Sequence, residues 1–507
     1  MVRKSIRTIV SLLTILAVTF LLVGMTPDVS SAAKVFKVGY PGPDPTSLDP
    51  HAGLSGGDHN FFKQIFDPLV EVDPKGQPIP ALAVSWENPS PKEWIFHLRK
   101  GVTFHDGTPF NAAAVKFNIE RLQDEATKSP VRGIALKIKA MDLIDDHTIK
   151  MTLDAPNVDF PIVLQDRPGM IVSPAAVKKY GLDFGRNPVG TGAFVFDSWQ
   201  EGSVVKMHKN PNYWNKENVH LDKVEIKIIP DGSVAVMSLL GGDLDLLILV
   251  PLDRVKQVEK SKKLKLYITP ALAFQCVYMM GIPPFDKKEI RQALAYSVDR
   301  ESITKALTFG YGQVATGHLP RVHWAYEGNV ERYPRNIQKA KELLKKAGYP
   351  NGVKATLTTI PAPPYNKIAQ IVKEQAAEAG FDLTLEMLGP AQAIGKAMKK
   401  QTNALSLGWS GRASTDATYQ SLAHSSGAYN NKNYVNPVAD ALIERARSTS
   451  NIEERKKIYS DLQKLLAEDM VTLIFFNTPL AVAAKKGVTG YENYLDGKLR
   501  LTGVKSE

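Results

Sequence analysis

An α/β fold built on a parallel sheet is predicted by the second half of this chain, where strand-like and helix-like stretches alternate. KATLTTI (354–360) reads as a strand, Tyr365 to Ala379 as a helix stopped by Gly380, and FDLTLEML (381–388) as a strand. Ala391 to Lys400 reads as a helix and ALSLGWS (404–410) as a strand. A β-α-β-α-β order implies parallel strands with helical crossovers. Length is the second observation: about 474 of the 507 residues follow Ala33, too many for one core, so two or three domains are expected. The third is the alternation of short strands and turns over residues 71–160 and 193–229, a rhythm unlike that of the second half.

The chain opens with Arg3, Lys4 and Arg7, an uncharged run from Thr8 to Met25, and Ser31-Ala32-Ala33. These are the regions of a secretory signal, residues 1–33, cut after Ala32 or Ala33. The run is 18 residues, the lower limit for a membrane span, and the small residues beside the cut favour cleavage over a retained anchor. No cysteine follows it closely, so a lipoprotein is not expected and a free periplasmic protein is. The net charge of +11 becomes +9 without Arg3, Lys4, Arg7 and Asp28, and the surplus is dispersed apart from Lys260–Lys265. A dispersed surplus describes a solvated surface, and no nucleic acid is expected as partner. The single cysteine, Cys276 in AFQCVYMM, reads as core packing.

After Ala33, VFKVGY reads as a strand, a Pro- and Gly-rich stretch as loop, and FFKQIFDPLV as the start of a helix. Gly53 to Gly57 satisfies G-x-S-x-G, which would make Ser55 the nucleophile of a secreted serine hydrolase. Pro43, Pro45 and Pro50 remove the strand that such an elbow needs, so a flexible glycine loop is the preferred reading. ALAVSWE, EWIFHLRK and HTIKMTL read as strands. Between the last two, Asp106-Gly107 makes a turn and Asn111 caps a helix with Val115, Ile119 and Leu122 on its apolar face. Lys116, Asn118, Glu120 and Arg121 are expected to point elsewhere. His97, His105, His318 and His323 lack ligand spacing, so no metal is expected.

Gly190-Thr191-Gly192 lacks the third glycine of a dinucleotide fingerprint, which would fall at Val195, and no cofactor is expected. Ala193–Trp199, Val204–His208 and Val224–Ile229 read as strands. Near the end, Asn436 caps a helix with Pro437 first, Asn451 and Glu454 imitate a capping box, and VTLIFF is a buried strand. The polar tail after Ala484 is expected at the surface. Ligands of parallel sheets gather beyond the carboxyl ends of the strands, here the loop WSGRASTDATY. Trp409 and Tyr419 offer apolar faces there, and Arg412 and Asp416 offer opposite charges for a zwitterionic or amide-rich solute.

Several longer phrases resemble the extracytoplasmic solute-binding proteins of family 5, the dipeptide, oligopeptide and nickel group of ABC importers. The match runs through Leu48-Asp49-Pro50, Asp67–Val70, Phe104 with Asp106–Phe110, Ala112, Val115, Phe117, Arg121-Leu122, Pro188–Phe194, Asn210–Trp214 and Gly241–Asp245. It continues through the helix of Pro283–Ser302 and the phrase NYVNPVADALIERA. The resemblance implies a type II periplasmic-binding-protein fold, two lobes with an extra domain in the first and a hinge of two crossing segments. It divides the chain into domain I (34–57, 186–270 and 481–507), domain II (58–185) and domain III (271–480). It implies a monomer that closes on a peptide or peptide-like solute and delivers it to an ABC permease and ATPase complex, with no bond broken. Nickel, haem or an oligosaccharide are the alternative ligands of that fold.

Two departures concern the ligand. Dipeptide-binding relatives carry an Asp three residues after the loop tryptophan, where this chain has Arg412, and an Arg where it has Pro363. An anionic or carbonyl-rich group near Arg412 is the consequent expectation. A third departure is Ala114, where the family has Asp.

Overall fold

In the computed structural model, which describes residues 34–427, 429–430 and 433–507, everything from Phe36 onward belongs to one unit. Ten strands build its main sheet: β1 Val35–Tyr40, β2 Phe194–Gln200, β3 Val204–Lys209, β4 Lys223–Ile228, β5 Leu246–Leu247, β6 Leu264–Met279, β7 Val353–Thr359, β8 Phe381–Met387, β9 Ala404–Trp409 and β10 Thr472–Lys485. Their spatial order is β8-β7-β9-β6-β10-β5-β1-β4-β3-β2. As the sequence predicts, β7 pairs in parallel with β8 and β9 through the helices Tyr365–Ala377 and Pro390–Met398. The whole sheet is mixed, because β9 meets β6 and β6 meets β10 in antiparallel sense.

Strands β6 and β10 have 16 and 14 residues. At about 3.4 Å per residue the longer covers about 50 Å. They pair from Leu264↔Lys485 to Tyr278↔Thr472, so each runs from one half of the sheet into the other. Pro479 does not end the strand begun by VTLIFF, because it stands opposite Pro270 at a break in register between Pro270 and Phe274. Neither proline has an N–H to give, and the ladder needs none at that point.

On the β1–β4 side, the expectation of a surface tail is overturned. Leu499, Leu501 and Val504 are buried in the same core as β1 to β4, and Leu495 is buried as well. The intervening charges are matched: Arg500 pairs with Glu71 and Asp496 at 2.8 Å, and Lys63 with Glu71 at 2.9 Å. Asn60 accepts from the Leu499 backbone and Gln64 donates to its carbonyl, which fastens the tail to the helix His59–Ile65.

Four antiparallel strands form a separate sheet in the order Ala83–Ser90, Glu93–Leu98, Thr148–Leu153, Ile138–Asp145. The helix Ala112–Gln123 shares its core through Val115, Ile119 and Leu122, and Asn111 Oδ1 caps it by accepting from Ala114 N at 3.0 Å. Two residues expected to point away are engaged instead. Asn118 is fully buried, donating to Ala114 O and Val172 O and accepting from Val172 N. Arg121 grips the carboxylate of Asp49 with both terminal nitrogens, at 3.0 and 2.5 Å. Burial alone would raise the Asp49 carboxyl; the Arg121 guanidinium more than offsets it and holds it below the usual range.

Asp67 collects three further motif residues. Its carboxylate accepts from Thr191 Oγ1 at 3.1 Å, Tyr213 Oη at 2.9 Å and Trp214 Nε1 at 3.0 Å. Gly190 and Gly192 lie so near the preceding helix end that a Cβ on either would meet the Ile65 backbone at 2.2 to 2.5 Å. Burial pushes the Asp67 carboxyl up to about 6, against the pull of its donors. A value raised above that of the unfolded chain stabilises the native state fully below about pH 4, and this is lost as pH rises through 6. Two units correspond to about 3 kcal/mol. Asp67→Asn, with its amide turned to the Tyr213 oxygen, removes the charge. In urea unfolding it is expected to gain about 3 kcal/mol on the parent between about pH 4 and pH 7.

Candidate functional site

Trp409 ends β9 where that strand lies against Phe274 of β6. Its ring is 7% exposed and meets Tyr429 edge-on at 5.5 Å, and its Nε1 has no hydrogen-bond partner among the described residues. The exposed Arg412 folds back over it, with the guanidinium carbon 4.5 Å from the ring centre. One nitrogen of that group donates to Ser410 Oγ at 2.9 Å and Gly411 O at 2.7 Å. Gly411 makes the turn possible: its φ is +80°, and a Cβ there would lie 2.7 Å from Leu272 Cβ. The turn therefore rests on the interrupted stretch of β6, whose Leu272 N donates to Leu495 O in the tail.

The other two residues expected in this loop face inward. Ser414 caps the helix Thr415–Leu422, which buries Asp416 and Tyr419. Tyr419 is fully buried, stacked on Tyr459 at 5.5 Å and edge-on to His318. Asp416 pairs with Arg447 at 3.1 Å; burial pushes its carboxyl up, against the pull of that guanidinium. Behind them Asp159, 1% exposed, accepts from Arg455 Nη1 at 2.8 Å, Ser414 Oγ at 3.0 Å and Asp416 N at 3.1 Å. Asp159 precedes the helix Phe160–Val163, so it ties the segment after the four-stranded sheet to the loop following β9. Asp159→Ala strands the Arg455 charge in the interior. An equilibrium unfolding curve is expected to show a loss of about 3 to 5 kcal/mol.

A second cluster, which sequence reasoning missed, gathers around Ser55 and Gly56. Arg167, 6% exposed, donates to Ser55 O at 2.5 Å, and its buried Nε has no partner among the described residues. Lys498 donates to Gly56 O at 2.8 Å. His59 bonds Asp166 through Nε2 and faces Gly56 O through Nδ1 at 3.2 Å. Burial alone would raise the Asp166 carboxyl, and His59 beside it outweighs this and holds it well below the usual range. Arg167 stands in LQDRPGM, a stretch with no periodicity or motif to signal it.

Ser55 is a helix cap. Its Oγ accepts from Gly57 N, and its own N–H donates to Asp58, each at 3.0 Å, the reciprocal pair of a capping box. Both ring nitrogens of His59 are engaged elsewhere, so His59 does not serve the hydroxyl as a base. Ser55→Ala is expected to cost about 1 kcal/mol in thermal or urea unfolding. It should leave hydrolysis of a p-nitrophenyl ester at the level of the parent, whereas loss of turnover would restore the hydrolase.

The four histidines singled out in the sequence are engaged or buried: His97 pairs with Glu87 at 2.8 Å, His105 with Gly192 O at 3.0 Å, and His318 and His323 are in the interior. Among the described residues no three His, Cys, Asp or Glu are grouped to hold a metal. Cys276 is buried, with Sγ 3.3 Å from Leu407 O. A recess of about 240 Å³ lined by Met279, Arg291, Tyr434 and Asp469 lies at the far end of the β6–β9 ladder. Met279 pairs with Ala404, five residues from the Trp409 pairing, which is about 17 Å.

Residues 77–431 match the family described as bacterial extracellular solute-binding proteins, family 5 Middle. The glutathione-binding protein GsiB of Pectobacterium atrosepticum is 29% identical over 461 residues, covering 88% of this chain and 89% of that protein. The structure of the ABC transporter-associated periplasmic binding protein DppA from Helicobacter pylori, in complex with peptide STSA, is 27% identical. Its TM-score is 0.79, over 94% of this chain and 98% of that one. The structure of AgaA from A. tumefaciens R10 in complex with agropinic acid is likewise 27% identical, with a TM-score of 0.77 over 94% and 99%.

Proposed function

The chain belongs to the bacterial extracellular solute-binding proteins of family 5, and on that premise we propose that it is the substrate-binding component of an ABC importer. It captures a peptide or peptide-like solute between two closing lobes and hands it to the permease and its ATPase. The observation that carries this is the Trp409–Arg412 pair, an aromatic face and a cation with open N–H groups beyond the carboxyl end of β9. Asp416 and Tyr419 support the loop from within. The named ligand of GsiB, glutathione, is a tripeptide with two carboxylates, and an anionic solute suits Arg412.

Closure requires a joint. The break at Pro270 and Pro479 supports division of the chain near residues 270 and 480, into the three domains expected from the sequence. Export to the periplasm, with loss of residues 1–33, belongs to the same proposal, as does a monomeric state. The leader lies outside the described residues, and no helix among the described residues is long and apolar enough to cross a membrane. The proposed role is binding, with the energy of closure drawn from solute contacts made only in the closed form.

Mass spectrometry of the small molecule released from purified protein identifies the solute. Thermal shifts of stripped protein with glutathione and short peptides then test the site. At a hundredfold excess over Kd a true ligand is expected to stabilise the native state by about 2.7 kcal/mol. Arg412→Ala is expected to abolish the shift while leaving the unliganded midpoint unchanged. Absence of a shift with every peptide would overturn the proposal.

A further inference from the structure

We propose, building on the solute-binding role above, that Arg167 and Arg412 face each other across the cleft as the two arms of an anion clamp, and that the preferred solute places a carboxylate between them. A short chain of contacts supports this placement. Arg412 rides on the Gly411 turn, which packs on Leu272; Leu272 bonds Leu495 of the tail. Three residues on, Lys498 bonds Gly56, whose neighbour Ser55 holds Arg167.

Both guanidiniums keep donor capacity in reserve. Among the described residues, Arg167 Nε is buried without a partner, and Arg412 spends one nitrogen on Ser410 and Gly411. The carboxylates nearby are committed. Asp58 accepts from Thr46 N, Thr46 Oγ1 and Ser55 N, and Asp166 is held by His59 and by the Arg167 backbone. Burial keeps Arg167 below its ordinary value against the pull of Asp166 and Asp58, and the Arg412 charge adds the smallest push in the same direction.

Like charges on opposite walls resist closure of an empty cleft. A carboxylate between them replaces that repulsion with charge-assisted hydrogen bonds to both, and these form only when the walls meet. An anion thus gains differential affinity for the closed state, which is the requirement for driving closure. Lys498 adds a third positive charge beside Arg167 and reinforces the preference.

Isothermal titration calorimetry on the mature protein would compare glutathione with its diethyl ester, and short peptide acids with their C-terminal amides. The parent is expected to favour the free acids by about 10- to 100-fold. Arg412→Gln and Arg167→Gln are each expected to bring that ratio close to one, the second after circular dichroism has verified its fold. Arg412→Glu provides a test independent of the buried variant, since it turns repulsion into attraction. Its unliganded form is expected to be more compact than the parent in small-angle X-ray scattering, with the acid preference lost. Equal binding of acids and neutral partners by the parent, or an Arg412→Glu variant that keeps the preference, overturns the clamp alone. Failure of every peptide to bind the parent overturns the clamp together with the role beneath it.

Discussion

The antiparallel pairing of β6 with β10 is the constraint on which the other elements depend. The ladder of two strands runs from Leu264↔Lys485 to Tyr278↔Thr472, with β5 and β1 following on the β10 side and β9 and β7 on the β6 side. Trp409 is placed by its register with Phe274, and the tail is placed by where β10 ends. A sheet this continuous resists bending wherever every N–H is paired. It bends most cheaply where the ladder is already incomplete, which is at the facing Pro270 and Pro479 and again between Gln275 and Cys276.

On the β1 side, the phrases that make the sequence recognisable are one another's partners in space. Asp49 of the Leu-Asp-Pro phrase is gripped by Arg121 of the phrase that begins at Phe104, and Asp67 takes donors from the Gly-Thr-Gly and Asn-Pro-Asn-Tyr-Trp phrases. Deleting one side chain of the Asp49–Arg121 pair leaves the other with the full penalty of an unpaired charge in the interior. The result is a body whose internal joints are stiff. Relative motion is left to the two crossing strands.

What the sequence made legible is what local chemistry decides. The caps at Asn111, Asn436 and Asn451 each accept from the first turn of the helix they begin, and the alternation over residues 353–409 gives the parallel strands. Residues whose role is set by distant partners were not legible. Asn118 meets Val172, Arg121 meets Asp49, and Asp159 meets Arg455, separated by 54, 72 and 296 positions. The tail reads as polar because its leucines stand singly among charges, and the distant partners Glu71, Asn60 and Gln64 let it bury. The loop after β9 shows both outcomes. Its place beyond the strand end follows from topology, while Ser414 starts a helix that turns Asp416 and Tyr419, three residues apart, onto one inward face.

The same loop explains how the chain carries a cation where dipeptide-binding relatives are expected to carry an Asp. Arg412 is exposed and rests on Trp409, so its charge stays hydrated and the fold bears little of its cost. In the proposed clamp, the cost arises only when the opposite wall approaches with Arg167 and water leaves. At that stage a like-charge contact in a medium of lower dielectric is far more unfavourable than in bulk water, and a bound carboxylate reverses its sign. Under that proposal, selectivity for an anion is a property of the closing step rather than of a preformed pocket. A neutral solute would contact the same tryptophan and still leave two positive charges unscreened between the walls.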